Sequence, residues 1–157
     1  MLRRSVIKTV LPALALAQLP AIARGEERLR MRVVRDPGCA CCLGWVRHME
    51  QAGFAVSVEE RPRADPSRRS SGAPSHLAGC HTAFHDRFAF EGHVPAAAVR
   101  RFLTDPGSWR GLAVPKMPIG SPGMEVAGAT PETFEIIKYD QTGRTELYAR
   151  ARGSEII

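Results

Sequence analysis

Outside its opening segment, the sequence has no apolar run long enough to cross a bilayer, which takes about 20 consecutive residues. It has no internal repeat, so solenoids and propellers are excluded. Aromatic residues make up only 6% of the chain. No aromatic RNA platform and no recognition helix is visible, so no nucleic-acid partner is expected. The basic balance does not restore one. Lys plus Arg number 22 against 16 Asp plus Glu, a formal charge of +6. The first 23 residues hold Arg3, Arg4 and Lys8 but no acid, and without them 19 basic residues face 16 acids. The remaining arginines are interleaved with acids. A hydrophobic content of 44% and a charged content of 24% exclude wholesale disorder, collagen and a coiled coil. The 157 residues amount to one domain, or one domain and a tail, and hide roughly 70% of the unfolded surface.

The opening segment reads as an export signal over residues 1–23. Arg3, Arg4 and Lys8 form a charged start, Thr9 to Ala17 a short apolar run, and Ala21-Ile22-Ala23 an A-x-A cleavage signal. Pro12 and Pro20 interrupt the run, which argues against a spanning helix. Arg3-Arg4-x-Val6-Ile7-Lys8 resembles the twin-arginine signal, which implies folding before export to the periplasm. Membrane contact is then expected only through an uncleaved leader. The mature domain would cover residues 24–157.

Within it, Leu29 to Arg35 reads as a strand and Asp36-Pro37-Gly38 as a turn. Cys41 to Gln51 reads as a helix, with Leu43, Val46 and Met49 on one side and Gly53 as its cap. Phe54 to Val58 is a second strand. Arg61 to Pro74 reads as a polar surface loop, with Arg68-Arg69 solvated. Pro74 to Ala78 suits a helical turn. Thr82 to His85 and Phe88 to Glu91 suit a hairpin, and Pro95 the first position of a helix running to Leu103. Gly111 to Pro131 is rich in Gly and Pro and long, the mark of a functional loop. Thr133 to Tyr139 and Thr145 to Ala149 suit a last hairpin. This order predicts an α/β thioredoxin-like sandwich with a C-terminal loop and β-hairpin extension, its reactive turn at the first strand-to-helix junction.

The four cysteines are not scattered. Cys39-Ala40-Cys41-Cys42 contains a C-x-x-C pair, Cys39 and Cys42, plus the extra thiol of Cys41. A helix start stabilises thiolate, which is both the nucleophile of disulfide exchange and a ligand for soft metals. Redox chemistry would use Cys39 to attack and Cys42 to resolve. Three thiols within four residues exceed what a dithiol couple needs, which favours metal. A purely structural disulfide is the third reading, suited to an exported protein.

Cys80-His81-Thr82 precedes a strand that a thioredoxin-like fold lays beside the C-x-x-C turn, so Cys80 and His81 could approach the cluster. His93 stands just before a helix and could face the same place. His48, His76 and His85 read as surface residues. Met117 and Met124 sit in the Gly/Pro loop, where methionine packs poorly as core filler. Thiolate, imidazole and thioether together are the ligand set of Cu(I), whereas zinc is satisfied by Cys and His. The methionines therefore tilt the choice of metal to copper, with more than one ion able to share bridging thiolates.

Together, Pro37 to Cys42, Cys80-His81-Thr82, Glu91-Gly92-His93-Val94-Pro95 and the run from Gly111 to Glu125 resemble a bacterial family of predicted metal-binding proteins with a C-x-C-C motif, which includes the copper-resistance protein CopG. The resemblance implies a thioredoxin-like fold, export to the periplasm and copper handling. It carries metal binding to Cys39, Cys41, Cys42 and Cys80, with His81 beside them, and His93, Met117 and Met124 match motif positions. Copper ions are the implied partners, with other periplasmic copper-handling proteins. Thioredoxins place a cis-proline where this chain has Cys80-His81-Thr82, a departure that disfavours ordinary dithiol exchange.

Overall fold

The computed structural model describes residues 28–157. The leader expected over residues 1–23 lies outside them. In order come β1 (Arg30–Arg35), α1 (Ala40–Gln51), β2 (Ala55–Glu60), α2 (Pro66–Arg69) and a 3-10 turn (Ser75–Leu77). Then follow β3 (His81–His85), β4 (Phe88–Glu91), α3 (Ala96–Thr104), β5 (Gly111–Ala113), β6 (Thr133–Tyr139), β7 (Thr145–Arg152) and β8 (Glu155–Ile156). The fold is mixed α/β, with few helices on one eight-stranded sheet of order β2-β1-β3-β4-β5-β6-β7-β8.

The first half follows from patterning. Met31, Val33 and Val34 of β1 are buried. β1 pairs parallel with β2, which requires a crossover, and α1 supplies it. That helix buries Cys42, Trp45, Val46 and Met49, the three- and four-residue spacing of one helical face. Gly53, at φ +87°, turns the chain out of the helix as its amide bonds to the Glu50 carbonyl. β3 runs antiparallel to both β1 and β4. α3 buries Ala96, Ala98, Val99 and Phe102 in the same core as Trp45 and Phe90. No helix among the described residues is long and apolar enough to cross a membrane.

Several expectations need correction. The segment from Gly111 to Pro131 is not all loop, because Gly111–Ala113 forms β5, parallel to β4 and antiparallel to β6. Gly111 reads as loop punctuation but is there for close approach. A Cβ on it would lie 1.7 Å from the Ala89 carbonyl oxygen. The loop from Arg61 to Pro74 contains α2, capped by Asp65 accepting from the Ser67 amide, and Arg68 is buried rather than solvated. Pro95 is the residue before α3, one position earlier than expected. It offers no capping oxygen, and His48 of α1 takes that role instead. The Ala96 amide donates to His48 Nε2 at 3.0 Å, so His48 is half-buried rather than a free surface residue.

Candidate metal centre

The centre forms where the chain leaves β1. Gly38, at φ +70°, turns the chain into α1, and Cys39 becomes the helix cap, its Sγ accepting from the Cys42 amide at 3.3 Å. Cys39 and Cys42 are joined by a disulfide, while Cys41 and Cys80 are free and partly exposed. Cys80 arrives through sheet register. Arg35 at the end of β1 is opposite His81 at the start of β3, and the Asp36 amide donates to the Cys80 carbonyl at 3.0 Å. The residue before β3 therefore faces the turn after β1. Cys80 Sγ lies 3.3 Å from Cys42 Sγ, and Cys41 Sγ lies 3.4 Å from Cys39 Sγ. All four sulfurs are within 4.8 Å of one another, a grouping able to hold a metal ion.

Two imidazoles complete a second face. His81 Nδ1 and His93 Nε2 each lie 3.6 Å from Cys80 Sγ. His93 Nδ1 is 2.8 Å from the Pro122 carbonyl, which can only accept. The proton of a neutral His93 therefore sits on Nδ1, and the Nε2 lone pair points at Cys80, the orientation a carbonyl partner commonly fixes in ligating histidines. His81 is fully buried against Trp45, with ring centroids 4.6 Å apart, and its Nε2 has no hydrogen-bond partner. Trp45 is itself anchored by its indole N–H to the Val94 carbonyl at 2.8 Å.

Electrostatics favours neutral ligands in the absence of metal. Burial pushes the Cys80 thiol up to about 12, with the Cys41 charge adding to the effect. A soft cation would have to displace that proton, so binding would release protons. Burial also holds His81 and His93 below the ordinary histidine range. Above about pH 6.5 these histidines are neutral whether the chain is folded or unfolded. Below it, the unfolded chain takes up protons that the folded chain resists, so the unfolded state gains and stability falls with falling pH. The metal-free protein is therefore expected to lose urea resistance between pH 7 and pH 5, by up to roughly 1.4 kcal/mol per pH unit per histidine. Urea midpoints at the two pH values check this, and His93→Gln should flatten the decline.

The Gly/Pro loop closes over the cysteine turn through two glycines. A Cβ on Gly44 of α1 would lie 2.8 Å from Gly123 Cα, and one on Gly123 would lie 2.5 Å from the Cys41 carbonyl oxygen. Met124, the next residue, is partly buried, and Met117 leaves 52% of its surface to solvent.

Residues that the sequence reading passed over hold the two cysteine segments together. Arg68 is 5% exposed. Its guanidinium pairs with Asp36, donates to the Gly79 carbonyl at 2.8 Å and reaches Thr82 Oγ1 at 3.5 Å. Asp36 adjoins the first cysteine turn, and Gly79 and Thr82 flank Cys80 and His81. Thr82 Oγ1 donates in turn to the Glu91 carboxyl at 3.0 Å, which also accepts from the Gly79 amide at 3.1 Å. Burial pushes the Glu91 carboxyl up. Glu91 had a sequence signal, since it shares a strand face with Ala89. Arg68, in a polar stretch, had none.

A family model described as a protein of unknown function, DUF411, matches residues 77–124, from the 3-10 turn through the glycine loop. Among solved structures, "Copper resistance protein copG- Form 1" is 33% identical, with a TM-score of 0.73, and the match covers 81% of this chain and 100% of that one. "Copper resistance protein copG- Form 2" is 34% identical at the same TM-score, covering 80% of this chain and 99% of that one. No curated protein matches the chain.

Proposed function

Because the chain belongs to the family of the copper resistance protein CopG, we propose that it is an exported copper-binding protein that holds Cu(I) in its cysteine cluster for copper resistance or homeostasis. The observation that carries this reading is the convergence of four sulfurs within 4.8 Å of one another, with two neutral imidazoles facing Cys80. Thiolates favour Cu(I) among the first-row ions, and bridging thiolates let four sulfurs hold more than one ion. Cys39, Cys41, Cys42 and Cys80 would be the principal ligands and His81 and His93 the flanking ones. Met117, exposed, and Met124, beside the loop contact, would be the residues that meet incoming copper. With the Cys39–Cys42 bond closed, only Cys41 and Cys80 offer thiols. Two electrons and two protons open it to two further thiols, so full loading requires a reductant. The cluster would sequester copper or pass it to other periplasmic copper-handling proteins, and the disulfide gives it a means of redox cycling. Export by the twin-arginine route rests on the leader motif. A thioredoxin-like core is supported by the order β2-β1-β3-β4, in which β3 alone runs against the rest.

The Cys39–Cys42 disulfide favours a second reading, a thiol–disulfide oxidoreductase in which Cys39 attacks and Cys42 resolves. An anaerobic Cu(I) titration of the reduced protein against a competing chelator separates the two. Binding of more than one copper with sulfur-to-copper charge-transfer absorption is expected. Weak binding without that absorption, together with a reversible dithiol couple, would transfer the function to the second reading.

A further inference from the structure

Behind the Cys80 turn, on the side of Thr82 and Glu91, lies a cavity of about 520 Å³ that the copper reading leaves unused. That volume is in the range of small-molecule sites. Its floor is built from Arg68, Ser71, Thr82 and Glu91, which are 5%, 3%, 1% and 2% exposed. Arg63 and Arg69 stand at its rim, and the methyl groups of Ala64, Ala73 and Ala78 line its walls.

The floor is rigid because its polar groups hold one another. Arg68 is fixed by Asp36, the Gly79 carbonyl and Thr82, and Thr82 by Glu91. The charges do not cancel. Asp36 is shared between Arg68 and Arg63, the latter at 3.2 Å. Glu91 is taken up inside the floor, accepting from Thr82 and the Gly79 amide. Arg69 forms no ion pair among the described residues, in a cavity whose other guanidiniums share one aspartate. Guanidinium forks recognise planar carboxylates through two parallel hydrogen bonds, and alanine walls accept a short carbon skeleton. From this arrangement we infer that the cavity binds a small organic carboxylate, held by Arg69 and Arg63 over the Arg68–Thr82–Glu91 floor. The site is distinct from the metal centre, since none of these side chains belongs to the sulfur and imidazole group.

The test is isothermal titration of the whole chain at low ionic strength with citrate and, separately, with inorganic phosphate. Saturable one-to-one citrate binding is expected, weakened at least tenfold in Arg69→Glu and weaker still in Arg63→Glu/Arg69→Glu. Both residues are exposed, so the variants should fold, and an unchanged Cu(I) stoichiometry would show that they do. Absence of saturable citrate binding, or equal binding by wild type and both variants, would overturn the site. Phosphate binding as tightly as citrate would overturn the assignment to an organic carboxylate.

Discussion

Cys80→Ser is expected to weaken Cu(I) binding by about a hundredfold or more and to bring the bound copper below the wild-type ratio. The magnitude follows from shared ligation. A complete four-ligand site of Cys and His is worth about 10–16 kcal/mol for zinc, so one strong ligand is worth at least a few, and 1.4 kcal/mol is a factor of ten. Cys80 is the one cysteine outside the helix turn, and it alone touches both groups. Its Sγ lies 3.3 Å from Cys42 Sγ and 3.6 Å from each of the His81 and His93 nitrogens. Removing that sulfur leaves three thiols on one turn and two histidines with no bridging atom between them. The serine oxygen is a hard donor and a poor replacement for Cu(I). The fold should survive, because Cys80 is partly exposed and the Asp36 bond uses its backbone carbonyl, so a stability change of no more than about 1 kcal/mol is expected. Chelator competition and charge-transfer absorption measure the first effect, and urea unfolding the second. Wild-type copper affinity and stoichiometry in Cys80→Ser would refute the shared cluster.

The sequence made the elements around this centre readable where hydrophobic period and cysteine spacing agreed. The first strand, the helix after it and the hairpin carrying Glu91 lie within a residue or two of their expected bounds. Their signals are local, namely the β-branched pair Val33 and Val34, the three-residue spacing of Val46 and Met49 in α1, where Leu43 is exposed instead of sharing their buried side, and a glycine after its end. The approach of Cys80 to Cys42, 38 residues apart, was foreseeable only through an assumed fold, because the β1–β3 pairing that causes it leaves no trace in either segment. Arg68 shows the opposite case. In a stretch rich in Ser, Pro and Arg it carries the composition of a solvated loop, yet it is the buried tie between Asp36 and Gly79. Its burial depends on partners elsewhere in the chain, and composition cannot report partners. Gly111 and Gly123 likewise read as loop residues, since sequence does not distinguish a glycine chosen for its backbone angle from one chosen because another backbone passes too close.

Gly123 turns that distinction into a measurement. Gly123→Ala is expected to cost about 3 kcal/mol, a fall of roughly 6–12 °C in Tm for a chain of this size, whereas Gly128→Ala in the same loop should cost about 1 kcal/mol. Both glycines have left-handed backbones, φ +86° and φ +79°, so alanine meets a similar conformational penalty at each. They differ in their surroundings. A Cβ at Gly128 meets nothing within 4 Å, but one at Gly123 would lie 2.5 Å from both the Cys41 carbonyl oxygen and the Trp45 amide nitrogen. Those are backbone atoms in the first turns of α1, and no rotamer change relieves them, so the loop must lift. Lifting moves Pro122, whose carbonyl orients His93. The Nδ1 proton then loses its acceptor, and the Nε2 lone pair is no longer fixed toward Cys80. Gly123→Ala should therefore also show a mixed His93 tautomer by nitrogen-detected NMR and weaker copper binding, while Gly128→Ala keeps the wild-type tautomer. Equal losses of stability in the two variants, with His93 unchanged in both, would mean that the loop is not seated on α1 and that the cysteine turn is held by β1 and β3 alone.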